Sequence, residues 1–308
     1  MIQLALLLAL ATAQDPPRRT VAVTFDDLPV AGRTVSIAAR ESVTAGLLRA
    51  IGKHRVPAIG FVNEMQLEDA AGRADPRQLA LLRRWLDAGL ELGNHTWGHP
   101  DLHRVTLAEF TADLLRGERQ LRPLLAARQQ APRFFRHPFL HTGRSVAVRD
   151  SLLAFLAAHG YRVAPVTIDN SDYIFASAFL AAREARDTAQ AARIATEYLA
   201  YMERVVTWYE GQAVAIAGRE IPQVLLLHAN ALNAATFDSL AAMLRGRGYR
   251  FAPLSEVLED PVYQSPDTYA GPAGISWLHR WALTRRLPTS TYAGEPEVPG
   301  WVQEAARR

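Results

Sequence analysis

The sequence predicts seven β/α units wound into a TIM-like barrel, complete or incomplete, with a doubly wound open sheet as the alternative. Apolar runs of strand length alternate with helical patterns from residue 21 to residue 253, and such alternation implies parallel strands joined by right-handed crossovers. The units show no internal sequence repeat. The strongest polar clusters stand where the strands end, which is the face on which a barrel gathers its chemistry.

In order, the strand-length runs are 21–25, 58–62, 90–93, 134–139, 163–168, 224–227 and 249–253, and helical patterns cover 42–54, 76–88, 107–126, 145–159 and 234–245. Two segments depart from this plan. Residues 175–218 form a long helical excursion with Tyr198, Met202, Val205 and Tyr209 at helical spacing, a stripe better explained by core packing or a subunit contact than by a groove wall. Residues 256–308 are rich in Pro and Gly around one short helical piece holding Trp277 and Trp281. They are expected to form a strap packed over the barrel, without chemistry of its own.

With 308 residues, 49% of them hydrophobic, the chain can bury a large core. The formal net charge is +3; the basic residues are nearly all arginine, with Lys53 the sole lysine, and they are scattered. No nucleic-acid partner is expected from that pattern. Cysteine is absent, which excludes disulfides and thiolate metal sites. Met1 to Ala13 is apolar and ends in Ala11-Thr12-Ala13, so residues 1–13 are expected to be a signal peptide for a periplasmic or secreted protein, although they lack a basic start. An apolar leading segment packed on the fold is the alternative. Spanning a bilayer needs about 20 apolar residues, and no membrane span is expected.

Asp26-Asp27 closes the first run, His95 the third, Arg136 lies at the end of the fourth, Asp169 and Asp172 follow the fifth, and His228 ends the sixth. His95 and His99 are four residues apart, and on one helical turn both imidazoles would face one metal ion. A catalytic zinc takes three protein ligands and keeps one position open, so a carboxylate is wanted. Neighbouring strand residues point to opposite faces; Asp26 and Asp27 therefore share a site only if the chain bends, and Leu28-Pro29 supplies a bend. One carboxylate then completes the metal set and the other takes a proton from water, both staying ionised beside a divalent cation. His228 becomes a general acid near neutral pH. Arg136, amid aromatics, needs a carboxylate partner, for which Asp26, Asp169 and Asp172 are the candidates. Taken singly, each residue has a plainer account: a loop histidine, a turn aspartate, a hydrogen-bonded strand-end histidine.

In combination they resemble the polysaccharide deacetylases with a NodB homology domain, carbohydrate esterase family four. Thr24-Phe25-Asp26-Asp27 matches the first family motif and His95-Thr96-Trp97-Gly98-His99 the second. Arg136-His137-Pro138-Phe139, Asp169-Asn170-Ser171-Asp172-Tyr173 and Leu225-Leu226-Leu227-His228 resemble the third, fourth and fifth. The resemblance implies a distorted (β/α)7 barrel over about residues 18–255, and a metal-dependent hydrolase that removes acetyl groups from N- or O-acetylated glycans. It implies Asp27, His95 and His99 as ligands of one divalent metal, zinc first and cobalt or nickel as alternatives. Asp26 would be the general base oriented by Arg136. His228 would be the general acid, tuned by Asp172 ahead of Asp169. The backbone N–H of Phe139 would help hold the oxyanion, and Leu226 and Tyr173 would line the acetyl-methyl pocket.

Three departures bear on substrate rather than reaction. Tyr173 stands where the family has tryptophan, Leu140-His141 replaces the glycine after the third motif, and Ala229-Asn230 follows His228 with Asn230 in reach of substrate. Hydrolysis of a non-sugar linear or cyclic amide on the same fold is therefore the second expectation. An inactive carbohydrate-binding barrel is the third, and the full set of acid, base and ligands weighs against it.

Overall fold

The structure, a computed structural model, describes residues 19–32 and 36–307; the expected signal peptide 1–13 lies outside them. Its elements are β1 (Arg19–Leu28), α1 (Ile37–His54), β2 (Ile59–Val62), α2 (Pro76–Asp87), β3 (Glu91–Asn94), α3 (Leu107–Arg116), α4 (Leu121–Ala126), β4 (Phe134–Phe135), α5 (Val146–Ala158), β5 (Arg162–Val163), α6 (Asp172–Glu184), α7 (Thr188–Ala217), β6 (Gln223–His228), α8 (Ala231–Gly246), β7 (Tyr249–Phe251), α9 (Leu254–Val257), α10 (Trp277–Thr284) and α11 (Gly300–Ala305). Every pairing between strands is parallel, in the order β5-β4-β3-β2-β1-β6 with β7 on the start of β1. Ile168, just past β5, bridges Leu225 of β6, so the sheet curls back on itself. The result is the distorted (β/α)7 barrel and not the open doubly wound sheet.

The period of two along the strands sorts side chains to the two faces. Val21, Val23 and Phe25 of β1, with Leu225 and Leu227 of β6, join the large apolar cluster that α1, α2, α7 and α8 complete. Ala22, Ile59, Phe61, Phe134, Ala164 and Val224 form the inner cluster, with Leu254 and Val257 of α9 against it. On that count Thr24 and Asp26 of β1, and Leu226 and His228 of β6, also point inward. Caps set several helix starts. Ser36 accepts from the Ala39 N–H, so α1 begins five residues before the apolar pattern suggests; Asp75 followed by Pro76 opens α2.

Where elements differ from the sequence reading, local chemistry explains it. The fourth run pairs only over Phe134–Phe135, because Pro138 has no N–H to give a ladder and Phe139 and Leu140 both take a φ of 56°. The fifth pairs only over Arg162–Val163 before Pro165. The single helix expected over 107–126 is two, α3 and α4, parted after Arg116. In the 175–218 excursion, Tyr198, Met202, Val205 and Tyr209 are fully buried in α7, as core packing requires.

Candidate active site

Asp26 and Asp27 reach one site because β1 is irregular where they lie. Its register against β2 shifts between Phe25 and Leu28, and Asp27 has a φ of 64°. That bulge turns Asp27 from the outer face toward the cleft beside Asp26. Asn63, immediately past β2, donates its amide to Asp27 Oδ1.

His95 and His99 come together by a different route from the helical turn their spacing suggests. They stand on a loop after β3, with Thr96 at φ 69° and His99 at φ 57°. Asp113 of α3 holds this loop, its Oδ1 accepting from the Trp97 and Gly98 N–H groups. Asn94 Oδ1 accepts from the Thr96 N–H and Thr96 Oγ1 from the His99 N–H. The loop lies so close to the end of α3 that a Cβ on Gly117 would sit 2.7 Å from the Thr96 carbonyl carbon. Gly117 also marks the break between α3 and α4.

These three residues fit a divalent metal. Asp27 Oδ1 is 3.7 Å from His95 Nε2 and 3.8 Å from His99 Nε2; tetrahedral donors each about 2.0–2.2 Å from one ion lie about 3.3–3.6 Å apart. The two imidazoles meet edge to face, 4.8 Å between centroids and 76° between planes, so their in-plane lone pairs can converge. His95 Nδ1 faces the Arg136 carbonyl at 2.8 Å, and donating there leaves Nε2 as the bare nitrogen. Burial, reinforced by His99, pushes the His95 pKa down to about 3, which keeps the ring neutral. Burial alone would raise Asp27, but His228, His95, His99 and the Asn63 amide outweigh it and hold the carboxyl below its ordinary range.

Asp101, His103 and His141 repeat the same residue types within 4.8 Å, and the comparison is instructive. There the His103 and His141 rings stack, 3.8 Å apart and 9° from parallel, so their lone pairs run side by side. His141 Nδ1 instead meets Asp101 Oδ1 at 2.6 Å, tying the loop after β3 to the loop after β4.

Asp26 is 3% exposed, and its Oδ1 has no hydrogen-bond partner among the described residues. Burial raises its pKa from 3.8 to about 6 against the pull of Arg136 and His228. Arg136 Nη1 is 3.9 Å from Asp26 Oδ2, an ion pair without a hydrogen bond. Its Nη2 donates to Thr24 Oγ1, and the guanidinium lies over the Phe61 ring. Among its three candidate partners Asp26 is thus the one at ion-pair distance. Asp172 is taken by His228. The His228 ring Nδ1 is 2.6 Å from Asp172 Oδ1, and the His228 N–H and the Asn233 amide donate to Oδ2. Burial opposes charge on His228, but the Asp172 carboxylate, with Asp27 and Asp26, overcomes it and raises the pKa to about 10. Asp169 stands apart from this pair; burial, with Glu295 nearby, raises it to about 7.

Asp26, Asp27, His95, His99, Asp169 and His228 line one cleft of about 970 Å³, while Arg136 and Asp172 stand behind them. Phe139 and Tyr173 stand on its walls, 54% and 60% exposed, while Leu226 is buried. Asn230 does not line it: its side chain caps α8 by accepting from the Asn233 N–H. The strap does more than the sequence suggests, since Gly274, Tyr292, Gly294, Glu295 and Glu297 form part of the wall. Asn63 and Asn233 were also missed. Asn63 obeys the strand-end rule and was within reach of it; the strap residues carry no such signal.

Residues 13–164 match the family model described as polysaccharide deacetylase. The chitooligosaccharide deacetylase of Bradyrhizobium sp. (strain ANU 289) is 32% identical over 141 residues, covering 46% of this chain and 55% of that protein. The chitin deacetylase of Arthroderma benhamiae is 25% identical over 154 residues, covering 50% of this chain and 35% of that protein. The match thus spans about half the length, or less, of these curated relatives. Among solved structures, the polysaccharide deacetylase Bc1974 from Bacillus cereus has a TM-score of 0.51 at 19% identity, covering 77% of this chain and 92% of that one, a likeness of fold.

Proposed function

Because the chain belongs, through its residues 13–164, to the polysaccharide deacetylase family, we propose that it is a metal-dependent hydrolase removing acetyl groups from an N- or O-acetylated carbohydrate. The observation that carries this reading is one cleft in which Asp27, His95 and His99 converge beside Asp26, with the His228–Asp172 pair facing them. Asp27, His95 and His99 hold one divalent ion, zinc before cobalt or nickel. When bound, that ion polarises the acetyl carbonyl and acidifies water.

The chain's own residues divide the remaining work. Asp26, with a pKa near 6 and a buried oxygen that has no partner among the described residues, removes the proton from the attacking water. Arg136, held between Thr24 and Phe61, fixes the position and charge of Asp26. As negative charge grows on the carbonyl oxygen, the Phe139 backbone N–H donates to it. The C–N or C–O bond then breaks, and His228, protonated at neutral pH through Asp172, gives its proton to the departing amine or alkoxide. Acetate and a free amine or hydroxyl result. Tyr173 and Leu226 flank the acetyl methyl.

The test is acetate release from a panel of acetylated oligosaccharides set beside a linear amide and a cyclic imide. Release from the sugars alone supports the proposal. Turnover of the imide or amide alone would replace it with the non-sugar amidase reading, for which the Tyr173 and Leu140-His141 departures leave room.

A further inference from the structure

The loop that follows β4 carries the proposed oxyanion donor, and the bonds it makes within itself, from the Leu140 and His141 N–H groups to the His137 and Pro138 carbonyls, close a single tight turn. Phe139 and Leu140 are consecutive non-glycine residues, each at a φ of 56°, a left-handed conformation that L residues adopt only when their surroundings impose it. The surroundings that impose it come from the C-terminal strap, more than 130 residues later in the chain.

Three contacts do so. At Gly274 the strap backbone presses on the Phe139 carbonyl: a Cβ there would lie 1.7 Å from the Phe139 oxygen and 3.2 Å from Leu140 Cβ. Trp277 packs on Leu140, Val166 and Leu226, and its backbone N–H donates to the Val166 carbonyl at 2.7 Å. Arg280, buried and paired with Asp267, donates to Thr142 Oγ1 at 2.8 Å. On the other side, Asp101 binds His141. The loop is thus gripped at Phe139, Leu140, His141 and Thr142 in succession.

We infer that the strap is a positioning element of the active site: Gly274, Trp277 and Arg280 clamp residues 138–143 so that the Phe139 N–H points at the reacting carbonyl. The catalytic consequence rests on the deacetylase reading; the clamp itself does not. Gly274 is needed for its missing Cβ, because an alanine there and the Phe139 oxygen must part by about 1.3 Å before even a 3.0 Å contact is reached. Displacement on that scale at an oxyanion donor costs on the order of 10- to 100-fold in rate. The clamp also accounts for Leu140 where the family has glycine: the strap imposes the backbone conformation that glycine would adopt unaided.

Gly274→Ala and Thr142→Val test the inference, with Arg285→Ala as control. Arg285 ties the strap to the Ile216 carbonyl of α7, away from the cleft. Amide hydrogen exchange is read across residues 137–143 in the full-length protein, together with kcat, KM and bound zinc. The expected result is faster exchange confined to that loop and kcat lowered about 10- to 100-fold in Gly274→Ala. KM should stay within about twofold, with zinc content unchanged and Arg285→Ala like wild type. If Gly274→Ala fails to fold, Thr142→Val, which removes only the Arg280 bond, should show the same loosening to a smaller degree. Unaltered loop exchange in the folded variants, or an equal loss of kcat in Arg285→Ala, would overturn the clamp. A wild-type protein that turns over no acetylated sugar would overturn the deacetylase reading instead, and the exchange experiment would still decide for or against the clamp.

Discussion

Replacing Asp172 with Asn should move the alkaline limit of catalysis toward neutrality. Asp172 is fully buried, and its two oxygens accept from the His228 ring, the His228 N–H and the Asn233 amide. The isosteric amide keeps the shape and removes the charge. An adjacent opposite charge shifts an ionisable group by about 1–3 pKa units, each worth about 1.4 kcal/mol. His228, now raised to about 10 chiefly by Asp172 against the cost of its burial, should lose its proton earlier by that amount. The acid must be protonated to act, so the descending limb of kcat against pH should move down by about 1–3 units, with metal content unchanged. The Asn amide also turns one donor toward the donors of His228 or Asn233, a mismatch costing about 1–3 kcal/mol of stability. Initial rates of acetate release from pH 6 to 11, for wild type and Asp172→Asn, measure the limb directly. An unmoved limb would show that His228 is not the acid or that Asp172 does not set its charge.

Two further outcomes follow from groups around the site. Asn63→Ala removes the amide that donates to Asp27 Oδ1 and should weaken divalent-ion binding by about 10- to 100-fold, read by competition with a chromophoric chelator; unchanged affinity would refute the role given to Asn63. Glu64, buried where its Oε1 accepts the Gln120 and Leu121 N–H groups at the start of α4, has its pKa raised by burial from 4.5 to about 7. A raised carboxylate favours the folded state fully below pH 4.5, and that contribution is lost as pH rises through 7, at most about 3 kcal/mol. The melting temperature of wild type should therefore fall more between pH 5 and pH 8 than that of Glu64→Gln; equal falls would contradict it.

The barrel, and the strand-end placement of the candidate site residues, were legible because both rest on short-range pattern. Period-two burial places Thr24, Asp26, Leu226 and His228 inside the barrel, and each polar cluster stands at a strand end. What the pattern could not carry was the local backbone that makes a site of them. The β1 bulge at Asp27 and the left-handed residues Thr96, His99, Phe139 and Leu140 are imposed by partners distant in sequence, such as Asn63, Asp113 and Gly274. The helical turn expected for His95 and His99 failed for that reason, since a spacing of four is met equally by a loop that Asp113 and Gly117 hold in place. The strap was illegible for a related one: Pro- and Gly-rich sequence records no face, so the wall built from Tyr292, Glu295 and Glu297 became visible only in three dimensions.

The most direct test of the central claim, that Asp26 works as a base beside an ion held by Asp27, His95 and His99, is the Asp26→Asn variant assayed for bound zinc and acetate release together. The account predicts a full equivalent of zinc and a rate at least about 10² lower than wild type on the same acetylated sugar. Near-wild-type turnover with zinc bound would contradict the account, and so would loss of zinc along with activity, which would make Asp26 a ligand instead of the base.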